Sequence, residues 1–262
     1  MKKLLVVGAA LISLGVPAIA ADLPVKAVPL VVPYFSWTGC YVGATVGYEW
    51  GTSHQTYGGL AGGLPAVGTI PAGTELTPNY RVNGVTGGAE LGCNYQVGSW
   101  VYGVEVDGSL SSAQGQTLTS PAAIAFVNPN LVFASRQHWL ATARGRLGYA
   151  VDKWLVYATG GVAFARYDLN NYLPASIFQM QPERVTKAGL AIGGGVEYAL
   201  SYGWSLKAEA LYIDFGKLHY GDVPIGCLGG GGCPNADVRT YEWTARVGVN
   251  YRFGLGPVVA KY

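Results

Sequence analysis

The chain has 262 residues, 39 of them glycine, and its 17 basic and 15 acidic residues leave a net charge of only +2. A charge that small and that dispersed excludes the basic face needed to hold nucleic acid. Beyond the N-terminus no apolar run approaches the about 18 residues of a membrane helix, and all-β barrels of this length are often single domains.

Residues 1–20 have the layout of a secretory signal peptide. Lys2 and Lys3 form a charged start, residues 4–16 an apolar core, and Ala18-Ile19-Ala20 a small-residue cleavage site, with cleavage expected after Ala20. Export opens an oxidising compartment to the four cysteines. Residues 21–36 contain Pro24, Pro29 and Pro33 without alternation and read as an extended periplasmic linker.

From residue 37 the pattern has a period of two, the mark of strands with one apolar face. A first strand is expected over 37–50, with Val42, Ala44, Val46 and Tyr48 on one face and Tyr41, Thr45 and Glu49 on the other. A second follows over 82–97, where Val85, Ala89, Leu91, Cys93 and Tyr95 oppose Thr86, Glu90, Asn94 and Gln96. Gly98-Ser99 is a hairpin turn. The third strand, 100–110, sets Tyr102, Val104 and Val106 against Glu105 and Asp107. The fourth, 137–151, sets Trp139, Ala141, Ala143, Leu147 and Tyr149 against Thr142, Arg144 and Arg146. After the turn Asp152-Lys153, the fifth strand over 154–167 has the weakest pattern, with Val156, Ala158, Val162 and Phe164 as its apolar set. The sixth, 184–200, places Leu190, Ile192, Val196 and Tyr198 opposite Lys187 and Glu197. The seventh, 204–215, places Leu206, Ala208, Ala210 and Tyr212 opposite Ser205, Lys207 and Glu209. The eighth, 241–253, alternates Trp243, Ala245, Val247, Val249, Tyr251 and Phe253 with Thr244, Arg246, Gly248, Asn250 and Arg252.

Connections alternate long and short along the whole chain, with irregular stretches at 51–79, 111–134, 168–183 and 216–237. An even number of strands with short turns at one end and long loops at the other is the plan of bacterial membrane barrels. All seven tryptophans, Trp37, Trp50, Trp100, Trp139, Trp154, Trp204 and Trp243, fall at expected strand ends, as befits rings seated at the membrane interfaces. The fold class is therefore an all-β, eight-stranded antiparallel transmembrane barrel over 37–253, with four long extracellular loops, short periplasmic turns and a C-terminal extension over 254–262.

Trp37-Thr38-Gly39 followed by Tyr41-Val42-Gly43, the stretch Ala208-Glu209-Ala210-Leu211-Tyr212-Ile213-Asp214-Phe215-Gly216, and the end of the last strand through Phe253 together resemble the small outer-membrane proteins of alphaproteobacteria. That group comprises the outer-membrane immunogenic proteins and the 25 and 31 kDa surface antigens. The resemblance implies an outer-membrane location in a Gram-negative cell, surface exposure and antigenicity, with porin activity and haem binding attributed to some relatives. Arg246, Gly248, Tyr251 and Phe253 resemble the signal by which the barrel assembly machinery recognises a last strand. Such chains usually end on the phenylalanine, whereas this one continues from Gly254 to Tyr262.

The lumen face collects Glu49, Glu90, Glu105, Asp107, Glu197 and Glu209 with Arg144, Arg146, Lys207, Arg246 and Arg252. Charges removed from water must pair, and eight strands leave an interior just wide enough for side chains to fill. A salt-bridged plug is the favoured reading over an ion path. His54, His138 and His219 are scattered and match no metal spacing, and no nucleophile motif is present, so no catalytic residue, metal ligand or cofactor is assigned. Two functions follow. One is a structural surface antigen with at most narrow passive diffusion of small solutes. The other is a binding protein whose long loops take haem or a host molecule. The expected surroundings are outer-membrane lipid and the assembly machinery. Cys227 and Cys233 bracket a glycine-rich loop and are expected to bridge. Cys40 and Cys93, on the lipid face at the same end of neighbouring strands, are placed to pair; the other reading is two small apolar side chains facing lipid.

Overall fold

A computed structural model describes residues 35–60, 71–124, 129–172, 174, 183–220 and 234–253. The described residues form nine strands: β1 Gly39–Leu60, β2 Tyr80–Val97, β3 Trp100–Ser111, β4 Gln114–Leu118, β5 Val132–Val151, β6 Trp154–Tyr172, β7 Glu183–Ala199, β8 Trp204–Tyr220 and β9 Pro234–Phe253. Eight of them close an antiparallel ring in the order β1-β2-β3-β5-β6-β7-β8-β9, with β9 returning to β1 from Cys40↔Phe253 to Leu60↔Pro234. β4 is an addition to the expected set. It lies above the end of β3, paired with β5 and touching β2 at Asn83↔Gln114, so the ring's wall continues upward past the break at residues 112–113.

Alternation sets the two faces. On β6, Leu155, Tyr157, Ala163, Ala165 and Tyr167 point inward and are buried, while Val156, Val162 and Phe164 point out and are exposed. The outer wall carries a band of apolar side chains between two rows of aromatic rings. Trp243 packs on Tyr212 at 5.0 Å on the side of the long loops, and Trp204 packs on Tyr251 at 5.1 Å on the side of the turns. This is the surface a barrel offers to lipid. The turn side is closed by tight connections that use left-handed residues, Gly98 (φ 60°), Asp152 (φ 51°) and Tyr202 (φ 58°).

Three expectations are corrected. The strands run well past the outer aromatic row: β1 continues ten residues beyond Trp50, β6 to Tyr172 and β8 to Tyr220. Backbone pairing does not end where lipid ends; only the apolar alternation does, because above the membrane both faces of the wall are polar or packed. Trp50, Trp139 and Trp243 therefore lie within strands, although Trp50 and Trp243 still stand on the outer aromatic row. Trp37 precedes β1 and is 2% exposed, folded into the periplasmic mouth instead of facing the membrane interface. Residues 1–34 and 254–262, including the signal peptide and the C-terminal extension, and Cys227 with Cys233, lie outside the described residues.

Candidate functional site: the filled lumen

The inside of the ring is stratified. At the periplasmic mouth, residues 35–37 turn under the barrel. The Trp37 backbone N–H donates to Gln96 Oε1 at 2.7 Å, and the Gln96 N–H donates to Thr38 Oγ1 at 3.0 Å, which pins the segment to β2. The Trp37 ring then packs with Val101, Ala150, Leu155, Tyr157 and Ala199. Arg252 covers this plug. Its guanidinium lies 4.6 Å from the Phe35 ring centre and 5.6 Å from that of Trp37. Arg252, expected within the charge network, is thus held by rings. The cavity left at the mouth, lined by Phe35, Trp37, Tyr41, Glu197 and Arg252 among others, is about 10 Å³, room for one water at most.

Above the plug lies a layer of buried ions. Glu105 on β3 is the direct cross-strand partner of Arg144 on β5, and Glu209 on β8 is that of Arg246 on β9. Arg144 holds three carboxylates at once: Glu105 at 2.5 Å, Asp107 at 2.9 Å and Glu209 at 3.1 Å. Arg246 binds Asp107 at 2.7 Å and Glu209 at 2.6 Å. Lys207 reaches across to Glu90 at 2.8 Å and Glu105 at 2.9 Å, and Arg146 binds Glu197 at 2.5 Å. Hydroxyl groups take the remaining acceptor positions. Tyr41 donates to Glu105, Tyr157 to Glu209 at 3.0 Å, Ser205 to Glu197 and Thr142 to Asp107. The Arg146 guanidinium also lies 3.7 Å over the Tyr157 ring. Nine of the eleven charges expected on the lumen face thus meet in one network, and Arg252 and Glu49 stand apart. Glu49 is 1% exposed and accepts from Ser111 Oγ at 2.6 Å without an ion pair among the described residues.

A second polar layer lies further out along the wall, and of its residues the sequence pattern places only Lys187 on the inward face. Glu242 accepts from Tyr167 Oη at 3.1 Å and Gln137 Nε2 at 3.4 Å, and Lys187 donates to Thr240 Oγ1 at 2.8 Å. Glu242 belongs to the same alternate row as Thr244 and Arg246, so extending that row by one step would have found it. Around this layer Leu140, Ala163, Ala165, Ala191, Leu211, Ile213 and Phe215 form an apolar core inside the barrel. The outer opening is packed by Tyr57, Phe133, Leu169 and Val238 together with Leu76 and Ala123 from the loop segments. The Ser120 N–H donates to the Leu76 carbonyl at 2.8 Å, which ties two of those segments to each other.

His54 and His138 stand on the outer wall, and among the described residues no three His, Cys, Asp or Glu side chains gather as a metal site. Cys40 and Cys93 are register partners on β1 and β2 and form a disulfide.

A closed ring of eight antiparallel strands, with an aromatic-bounded apolar exterior and an ion-filled interior, is an outer-membrane architecture. The family model described as "Outer membrane protein beta-barrel domain" matches residues 8–253. The chain belongs to this outer-membrane β-barrel family. Within the family it is similar to the 31 kDa outer-membrane immunogenic protein of Brucella melitensis, 31% identical over 245 residues, covering 90% of this chain and 93% of that one. It is also similar to the 25 kDa outer-membrane immunogenic protein of the same species, 28% identical over 258 residues, covering 97% and 99%. Among solved structures it is similar to OprG from Pseudomonas aeruginosa, with 15% identity, a TM-score of 0.48 and coverage of 83% of this chain and 97% of that one. The family places the barrel in the lipid of a Gram-negative outer membrane, in a group of immunogenic surface proteins.

Proposed function

We propose that this barrel is a closed scaffold that anchors surface loops in the outer membrane, passes at most very small solutes through its lumen, and carries no enzymatic activity. The observation that supports this reading is Arg144, whose one guanidinium is engaged by carboxylates from β3 and β8. A solute crossing the lumen would have to break that contact in a buried layer, where an unpartnered charge costs several kcal/mol. The plug of Trp37 and Arg252 below and the apolar packing of Leu76 and Phe133 above support the same reading. Conductance of the full chain in planar bilayers tests it: small or absent steps are expected, and large ohmic steps overturn it.

The second reading is capture of a surface ligand, such as haem or a host molecule, by the long loops. It is favoured by the extension of β1, β6 and β8 beyond the outer aromatic row, which raises the loops above the lipid. Saturable binding that is lost on loop deletion would establish it. Delivery to the membrane is assigned to the assembly machinery through Arg246, Gly248, Tyr251 and Phe253.

A further inference from the structure

The buried charges of the lumen do not balance. The ion layer sets five carboxylates against four cations, Arg144, Arg146, Lys207 and Arg246. Above it Glu49 and Glu242 add two acids and Lys187 one cation. The Lys187 ammonium turns to Thr240 Oγ1 and to the Tyr167 ring, 5.1 Å from its centre, instead of to a carboxylate. With every group ionised, two negative charges are in excess. Arg252 does not offset them, because it lies on the rings of the periplasmic mouth, on the far side of the ion layer. Buried charge in excess takes up a counter-ion or a proton.

The excess is concentrated at the seam between β1 and β9. Glu49 and Thr244 are register partners there, and Glu242 is the next inward residue of β9, opposite Gly51. The two carboxylates are thus diagonal neighbours on one face, about 7–8 Å apart at the backbone and within reach of a shared ligand. Neither forms an ion pair among the described residues. One oxygen of each is fixed by a hydroxyl, Glu49 by Ser111 at 2.6 Å and Glu242 by Tyr167 at 3.1 Å. Around them Glu49 Oε1, Thr244 Oγ1 and Gln137 Oε1 have no hydrogen-bond partner among the described residues, although all three residues are at most 1% exposed. The Gln137 amide already touches the site, since its Nε2 donates to Glu242 Oε1 at 3.4 Å. Protonation of the carboxyls would remove the charge and leave the Gln137 oxygen unpartnered. One cation answers both.

We propose that the lumen binds one calcium ion between Glu49 and Glu242, with Thr244 and Gln137 as its further protein ligands. Every donor is an oxygen, which selects a hard cation. Calcium accepts roughly six to eight oxygens in flexible geometry, whereas magnesium demands a near-ideal octahedron, and the mixed set at the seam is irregular. The two charges of the ion cancel the excess. The ion enters as β1 and β9 close the ring, because the mouth below and the packing above seal the finished lumen. Its presence at the seam is independent of whether the lumen conducts.

The test refolds the full chain from urea into detergent with either EDTA or millimolar calcium, desalts it and weighs it by native mass spectrometry. The wild type refolded with calcium should carry one ion per chain and the EDTA sample none. The calcium sample should also unfold at a higher urea midpoint, because a ligand held only by the folded state stabilises it. The double variant Glu49→Gln, Glu242→Gln keeps the shape of both side chains and removes their charge. It should retain no ion and unfold at one midpoint in either buffer. Glu242→Gln alone serves if the double variant does not refold, and should bind at least about tenfold more weakly, since affinity follows the charge of the ligand set. Wild type that refolds in calcium and carries no ion overturns the proposal without any variant. An ion retained equally by wild type and variant overturns its assignment to the seam. Equal retention of magnesium, when both metals are offered together, overturns the choice of calcium.

Discussion

Gly47 on β1 faces Arg246 on β9 across the seam that closes the ring, and a β-carbon at Gly47 would lie 2.7 Å from the Arg246 β-carbon and 2.4 Å from the Ala245 carbonyl oxygen. The Arg246 side chain leaves the wall beside that space, and its guanidinium binds Asp107 and Glu209 in the ion layer. Gly43 opposite Asn250 and Gly51 opposite Glu242 repeat the arrangement at intervals of four residues. Small residues on one strand make room for long polar side chains on its neighbour, which is how a narrow lumen accommodates them. Gly47→Ala should therefore lower stability by about 1–3 kcal/mol, the usual cost of overpacking. Gly145→Ala, where the nearest atom would be the Gly160 carbonyl oxygen at 3.8 Å, should change little. Urea unfolding in detergent, followed by the heat-modifiable shift on gels, compares the two; equal midpoints would sink the packing argument.

Arg144 is the next test. Arg144→Ala leaves Glu105, Asp107 and Glu209 with one cation fewer in a buried layer. Removing one partner of a buried ion pair costs about 3–5 kcal/mol. Arg146→Ala should fall in the same range through Glu197. Arg184→Ala on the exposed outer wall should stay within about 1 kcal/mol. A loss in Arg144→Ala no greater than in Arg184→Ala would mean the ion layer does not hold the barrel together.

The lipid-facing rows were legible because lipid leaves no choice: Val85, Leu91 and Val97 must be apolar, and the residues between them are then free to be polar. The inward row Glu90, Glu105, Asp107, Arg144, Arg146 followed from the same alternation. What alternation cannot report is anything beyond the lipid. Above Trp50 both faces of β1 carry polar residues, Thr52, Ser53, His54 and Gln55, so a paired strand and an irregular loop read alike. Trp37 is amphipathic whether it lies at the membrane interface or under the mouth, and only the hydrogen bond to Gln96 decides between them. Arg252 shares the inward row with Arg246, yet it lies at the last step of the strand, where rings from residues before β1 reach it before any carboxylate does.

The disulfide between Cys40 and Cys93 joins β1 to β2 near the periplasmic end and closes a separation of 53 residues. A cross-link of that span stabilises by about 2–4 kcal/mol, chiefly by restricting the unfolded chain. Cys40→Ser with Cys93→Ser should lower the urea midpoint accordingly and leave the wall's register intact. Mass spectrometry of the non-reduced protein should find the two cysteines in one linked peptide pair; free, alkylatable thiols at either position would refute the bridge.

The orientation has its own test. Lys153 stands exposed in the turn between β5 and β6, whose Asp152 adopts the left-handed conformation. Trypsin added to intact cells should spare Lys153 and reach it only after the outer membrane is permeabilised. Cleavage there in intact cells would invert the barrel.

The last strand carries the remaining prediction. Phe253 is the register partner of Cys40 and ends the outward row, 48% exposed, two residues after Tyr251 on the Trp204 ring. Arg246 and Gly248 of the same strand serve the finished barrel as well: Arg246 is ion-paired in the lumen, and a β-carbon at Gly248 would meet Thr45 Cγ2 at 2.8 Å. Changing either would confuse delivery with stability. Phe253 faces lipid at the strand's end and has no such second role, so it separates the two. Phe253→Ser should lower the yield of barrel in the outer membrane while the protein that does insert unfolds at nearly the wild-type urea midpoint. Truncation after Phe253 should leave the yield unchanged, because an outward aromatic residue would then end the chain in the usual way. Quantitative blotting of outer-membrane fractions reads both. A normal yield for Phe253→Ser, with a lowered yield for the truncation, would move recognition to residues 254–262.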